Sequence, residues 1–258
     1  PGLPGETMNT DILGVGEPAY AVVTFIHGED RCGCAAVQKF NESGYYLKEP
    51  LKVILANEKA FESGERYVDV DMNRVFPGDP DSEKYEESMA YKLERELEGL
   101  KVLDIHSTVS REAPFGIIVG ENGEEIDLAK SAGIRQLVDM SYVGGMSPEI
   151  CSVSVELSRT SGNPTQDAYD LLINFLAAEG LIDAEFERSN PEFFKVYSKE
   201  EGSGYEFLAS NFQKVEEGQV YAEKEDDQKV AEQDFYPVLM STDGYDDMIG
   251  FKAEKRDI

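Results

Sequence analysis

Hydrophobic positions over the first two thirds of the chain fall alternately into short runs and helical stripes. Ala19 to Ile26 (AYAVVTFI) is apolar and β-branched, which predicts a buried strand ending directly at His27-Gly28. Cys32 to Phe40 predicts a helix ended near residues 41–44, and Leu51 to Ala56 (LKVILA) predicts the next strand. Between Asp81 and Leu100, the residues Met89, Leu93, Leu97 and Leu100 recur at helical spacing among Glu and Lys, as in an amphipathic helix. Lys101 to Ile105 (KVLDI) predicts a strand that delivers His106 at its end. Phe115 to Val119, Arg135 to Met140 and Cys151 to Leu157 predict further strands, and Ala168 to Ala178 a helix.

Strands alternating with helices place the chain in the α/β class, with a mostly parallel sheet and helices on both faces. Such sheets bind ligands at the carboxyl ends of their strands, where His27, His106 and Glu156 all fall. After Asn190-Pro191 the texture changes. Phe193–Tyr197, Tyr205–Leu208, Gln219–Ala222 and Phe235–Met240 are short, aromatic or β-branched, and separated by Gly and acidic turns. The expected division is therefore an α/β domain over residues 1–188 and a small β domain over 189–258.

A hydrophobic fraction of 41% in 258 residues is enough for a proper core. Asp plus Glu total 52 against 24 Lys plus Arg, a formal net charge of -28 spread along the whole length. An acidic, solvated skin of this kind suits a halophilic source, where salt screens self-repulsion. It disfavours nucleic acid and anionic lipid as partners. No stretch approaches the apolar length of a membrane span and no signal peptide opens the sequence, so a soluble, cytoplasmic protein is expected. Three cysteines, an odd number in a long chain, do not make a disulfide framework.

Four pieces of sequence carry chemistry. In His27-Gly28-Glu29-Asp30, a histidine at a strand end is followed by carboxylates that can share a cation with it. A single His-Gly pair is common in turns. However, Asp104-Ile105-His106-Ser107-Thr108 repeats the placement, and these are the only two histidines in the chain. Two matched imidazoles with an adjacent acid favour a zinc site. The alternating strand Ser152–Glu156 then delivers a carboxylate to its end, where it can take a proton from water and pass it to a leaving amine. Arginine is scarce, yet Arg66 and Arg74 lie close together in RYVDVDMNRVF. In so acidic a molecule, an anionic substrate must be captured by local fixed cations, and guanidinium forks bind carboxylates well; the equal alternative is that Arg66 and Arg74 simply pair with neighbouring acids.

Together these pieces resemble the succinylglutamate desuccinylase/aspartoacylase family of zinc carboxypeptidase-like hydrolases. The resemblance rests on His27–Asp30, Arg66–Phe76, Asp104–Thr108 and Val153–Glu156, with a C-terminal match around Phe235–Val238 and Tyr245. It implies a zinc-carboxypeptidase-like α/β domain whose active-site cleft is covered by the small β domain. It implies that His27, the acid after it and His106 hold Zn2+, that Glu156 is general base and acid, and that Arg66 polarises the scissile carbonyl. Asn73, Arg74 and Tyr245 would bind the substrate, a small anionic N-acyl amino acid or related carboxylate. Where the family has glutamate this chain has Asp30, in register with the following Cys-Gly; Glu29 is the alternative acid. No arginine lies between Arg135 and Glu156, where aspartoacylases carry one. The expected activity is amide hydrolysis. Hydrolysis of an ester or peptide terminus, or metal binding without catalysis, are the alternatives, and a homo-oligomer is compatible with the sequence.

Overall fold

Apolar runs covered on both sides become the middle of a sheet, and here they form four adjacent parallel strands. The structure, a computed structural model, describes residues 8–146, 149–242 and 247–258. In its first half β1 (Asn9–Leu13) and β2 (Tyr20–Thr24) lead to α1 (Arg31–Glu42), β3 (Leu51–Leu55) and α2 (Glu58–Ser63). A 3-10 turn (Met72–Arg74) precedes α3 (Tyr85–Leu97), β4 (Lys101–Thr108) and β5 (Phe115–Ile118). Then come α4 (Gly123–Ser131), β6 (Gln136–Asp139), β7 (Cys151–Ser158) and α5 (Pro164–Ala178). The remainder is β8 (Glu192–Glu201), β9 (Glu206–Phe207), β10 (Val220–Lys224), β11 (Asp227–Val230), β12 (Tyr236–Val238) and β13 (Met248–Arg256).

The main sheet has ten strands in the order β1-β3-β2-β4-β7-β5-β6-β8-β13-β12. Neighbours from β3 to β7 run parallel, as do β5–β6 and β6–β8. The β1–β3, β7–β5, β8–β13 and β13–β12 pairs are antiparallel, so the sheet is mixed. The residues after 190 both extend this sheet, through β8, β12 and β13, and build a separate three-stranded sheet, β11-β10-β9.

Successive strand residues feed opposite cores, as the period of two requires. Val22, Leu103 and Ile105 join α1, α4 and α5 on one face, with Phe40, Leu128 and Phe175. Ala21, Val23 and Val102 join α3 on the other, with Met89, Leu93 and Leu97. Helices therefore cover both faces, and the parallel strands β3, β2, β4 and β7 are largely buried. Gly33 shows how tightly α1 lies on the sheet: a Cβ there would sit 2.9 Å from Thr24 and 3.1 Å from Ile105. Among the described residues no helix is long and apolar enough to cross a membrane.

Two helix starts differ from the sequence expectation by several residues. The amphipathic segment from Asp81 starts its helix only at Tyr85, whose amide donates to Asp69 Oδ2 at 2.8 Å and fixes the entry. The last helix begins earlier than Ala168, at Pro164, because Asn163 caps it by accepting from the Gln166 amide. The three cysteines are free thiols. Cys32 is buried in α1, and Cys151 starts β7.

One buried acid in this frame serves no site. Glu125, in the first turn of α4, is 1% exposed, and its Oε2 has no hydrogen-bond partner. Burial, with the charge of Asp139, pushes its pKa up to about 7 against a backbone hydrogen bond from Ser152. In the unfolded chain the same carboxyl ionises near 4.5. Between those values the folded state holds the extra proton, so stability falls as pH rises. Glu125→Gln is expected to be about 2 kcal/mol more stable than the parent at about pH 8 and to match it near pH 4. Urea unfolding at the two pH values measures this, and an identical pH dependence in both proteins would refute it.

Candidate active site

The first histidine reaches its place through a strained step. β2 stops at Thr24, and Phe25 takes φ 59°, a left-handed conformation rare for a bulky residue, with its ring 4.4 Å from Phe61 of α2. The glycine after His27 is needed for a close approach, not for a left-handed turn. A Cβ at Gly28 would lie 2.2 Å from the Ala60 backbone, and the Gly28 amide donates to the Arg66 carbonyl at 3.2 Å. Asp30 then sits at the N-cap of α1, yet its carboxylate caps nothing. A capping aspartate is worth ~1 kcal/mol, so this one has been turned to another task.

That task is visible in its contacts. Asp30 Oδ2 lies 3.2 Å from His27 Nδ1 and 3.4 Å from His106 Nδ1. Its Oδ1 accepts from the Ser107 amide at 3.0 Å and from the Ser107 hydroxyl. The two imidazole rings are 5.3 Å apart between centroids, and one donor atom from each of His27, Asp30 and His106 lies within 4.8 Å of the others. All three residues are buried, at 4%, 0% and 2% exposure. His106 Nδ1 is buried, and Asp30 Oδ2 at 3.4 Å is its one close partner among the described residues.

Each imidazole is oriented from behind by another carboxylate. Asp71 Oδ1 is 3.1 Å from His27 Nε2, and Asp104 Oδ2 is 2.6 Å from His106 Nε2. Ser154 donates to the same Asp104 oxygen at 2.9 Å. With Nε2 facing an acid, each ring directs Nδ1 toward the shared point, the carboxylate–histidine arrangement that supports metal ligands. β4 and β7 bring the fourth acid alongside, because His106 and Glu156 are direct partners in the parallel register.

Charge follows from this crowding. Burial alone would raise Asp30, but hydrogen bonds and charge from His106 and His27 hold it well below the usual carboxylate range. Asp71 is likewise held low: burial would raise it, and His27, Arg66 and Arg74 outweigh that. Burial would depress His106, and Asp104 more than reverses it, so the imidazole lies well above its ordinary value. Glu156 is pushed up by burial, with His106 opposing. Four carboxylates thus surround two imidazoles. A divalent cation balances this set, and neutral nitrogen with carboxylate oxygen is the donor chemistry zinc accepts. The residues fit such an ion.

The cluster opens into a cleft of about 770 Å³ lined by His27, Asp71 and Glu156 as well as by Arg66, Arg74 and Arg159. Arg66 donates to Glu29 Oε1 at 3.1 Å and to Asp71 Oδ2 at 3.2 Å. The loop carrying Arg66 and Asp71 is fixed by Glu86, a fully buried residue of α3. Its carboxylate accepts the amides of Val68, Asp69 and Val70, at 2.6, 2.9 and 3.2 Å, and the Asn57 side chain at 3.1 Å.

Of the residues singled out in the sequence, His27, Glu156, Arg66 and Arg74 line this cleft, and Asp30 and His106 meet His27 in the buried cluster. Glu29 lines the cleft but points to guanidinium groups, away from the histidines. Asn73 is not among the cleft-lining residues; its amide donates to Asp71 Oδ1 at 3.0 Å. Tyr245 lies outside the described residues. Sequence reasoning missed Asp71, Asp104, Glu86 and Arg159. Asp104 carried a usable signal, since a residue two before His106 on a strand shares its face.

The comparisons with known proteins bear on the family and the fold. Residues 17–148 match the family model of the succinylglutamate desuccinylase/aspartoacylase catalytic domain, and the chain belongs to that family. A probable aspartoacylase of Acaryochloris marina is 31% identical over 121 residues, 42% of this chain and 41% of that protein. The match thus spans about two fifths of the curated relative. Among solved structures, a succinylglutamate desuccinylase/aspartoacylase from Rhodobacter sphaeroides aligns at TM-score 0.74 and 16% identity, covering 96% of this chain and 89% of the other. Murine aminoacylase 3 aligns at TM-score 0.69 and 17% identity, over 94% and 97%. Both show the same fold.

Proposed function

We propose that the chain is a zinc-dependent amidohydrolase that removes the acyl group from a small N-acyl amino acid. The observation that carries it is the meeting of His27 Nδ1, His106 Nδ1 and the Asp30 carboxylate at one buried point beside Glu156. Membership of a family whose named relatives are aspartoacylases and desuccinylases supports it.

His27, Asp30 and His106 would hold the zinc, which supplies Lewis acidity and makes water a stronger acid. The protein's own groups account for the rest. Glu156 has a buried oxygen with no hydrogen bond, free to take a proton from water and return it to the leaving nitrogen. Arg66, held at both ends by Glu29 and Asp71, would orient the scissile carbonyl and stabilise charge growing on its oxygen. Arg74, exposed on the rim, would take the substrate carboxylate. Asn73 and Tyr245 would complete the substrate contacts.

The protein loaded with zinc is expected to carry one ion per chain and to hydrolyse N-acyl amino acids in preference to esters and short peptides. Metal analysis with a substrate panel checks this. Stoichiometric zinc with no turnover anywhere in the panel would make the site a binding site only.

A further inference from the structure

The cations of the cleft are already paired, with one exception. Glu29 stands between two guanidiniums: its Oε1 is 3.1 Å from Arg66 Nη1 and 2.8 Å from Arg159 Nη1. Arg159 reaches this place because its amide donates to the Thr108 carbonyl at 2.8 Å, tying the turn after β7 to the end of β4. Lys199 pairs with Asp247 at 2.7 Å. Arg74 makes no ion pair among the described residues, and its Nη1 donates to the Asn73 carbonyl at 3.3 Å.

A substrate carboxylate needs a cation not already held in a close ion pair, and Arg74, whose charge reaches Asp71 only at longer range, provides one. A second carboxylate would have to displace Glu29 from both guanidiniums or sit beside it unpaired. Like charges brought together in a partly desolvated cleft work against a ligand as strongly as new contacts work for it. The net charge of -28 acts the same way at long range, more against a dianion than a monoanion. Ser107, Thr108, Ser110 and Ser241 also line the cleft, beside an apolar group formed by Val109, Tyr142, Val143, Leu239, Met248 and Phe251. Val109 and Tyr142 are exposed there, 41% and 55%, although both are large hydrophobic residues. Apolar surface left open in a cleft with a few polar groups is where the apolar part of a ligand packs.

We propose that Glu29 is a selectivity residue. It occupies the position between Arg66 and Arg159, and so confines the cleft to N-acyl amino acids with one carboxylate, held by Arg74, and an apolar side chain or acyl group on the Val109–Tyr142 wall. This rests on the N-acyl amino acid reading above, and it runs against the dicarboxylic substrates that the relatives' names suggest.

Glu29→Gln is the test. Glutamine keeps an oxygen for the two guanidiniums and removes only the charge. N-acetyl-L-leucine and N-acetyl-L-aspartate are titrated calorimetrically into zinc-loaded protein with and without the substitution, both also carrying Glu156→Gln to prevent turnover. In parallel, kcat/KM is measured for both compounds with Glu156 intact. The ratio of the two compounds within one protein cancels any effect on shared chemistry. The unsubstituted protein is expected to favour the leucine derivative, and Glu29→Gln to move the ratio about tenfold toward the aspartate derivative. An unmoved ratio, a starting preference for N-acetyl-L-aspartate, or no binding of either compound overturns the assignment. Binding that shifts as expected, with hydrolysis of neither compound, supports the role of Glu29 and overturns the hydrolase reading instead.

Discussion

His106→Ala is expected to abolish stoichiometric zinc binding, with an affinity loss well beyond the 10–100-fold typical of removing a residue that merely orients a ligand. Catalytic zinc sites use three protein donors, and the described residues bring only three together at this point. Removing His106 leaves one imidazole and one carboxylate, and it takes from Asp104, whose Oδ1 already lacks a partner, the ring that its Oδ2 holds. The companion variant Asp104→Asn separates donation from orientation. It keeps the His106 ring and weakens only the bond behind it, now 2.6 Å. It should therefore bind one zinc at saturation with about 10–100-fold lower affinity. Elemental analysis and competition with a chromophoric chelator measure both. A ligand that binds only the folded state raises its melting temperature, so added zinc should stabilise the parent and not His106→Ala. If His106→Ala held zinc within a few-fold of the parent, the metal assignment would fail.

That both histidines could be found in the sequence has a physical cause. β2, β4 and β7 are largely buried, so β2 and β4 are mostly apolar and β7 alternates Ser with Val, and each brings a chemical group at or near its end. His106 lies within β4 rather than after it, but its register with Glu156 follows from the same parallel pairing. What was not legible lies where burial is partial. β1 is an exposed edge strand, β11 a polar hairpin arm, and α4 carries three acids in nine residues, so none shows a clear apolar stripe. β13 begins with four buried residues and ends in exposed ones, which hides its period of two. Long-range contacts were invisible for a different reason. Glu86 fixes the loop of Arg66 and Asp71 from a helix fifteen or more residues away, and Arg159 reaches Glu29 only because two strand ends lie side by side. No local spacing encodes either.

Glu156→Gln is expected to lower kcat by about 10³-fold, within the range ascribed to a positioned general acid–base group. Zinc content should not change, because Glu156 is not one of the three residues whose donor atoms converge. The substitution keeps the size of the side chain on β7 and removes the group that can accept a proton. Its surroundings make that group an effective base: burial raises the pKa of Glu156 above its usual value, so its ionised form binds a proton more strongly than a carboxylate in water. Binding should survive too, since the substrate carboxylate is assigned to Arg74, on the loop before α3, far along the chain from β7. The expected signature is a large fall in kcat with KM within a few-fold of the parent, which marks loss of an interaction made in the transition state. Steady-state kinetics on the best N-acyl substrate, with metal analysis on the same preparation, reads all three quantities. A variant that kept most of its kcat would move the proton-transfer role away from Glu156, and one that lost zinc in proportion to activity would place the defect in the metal site instead.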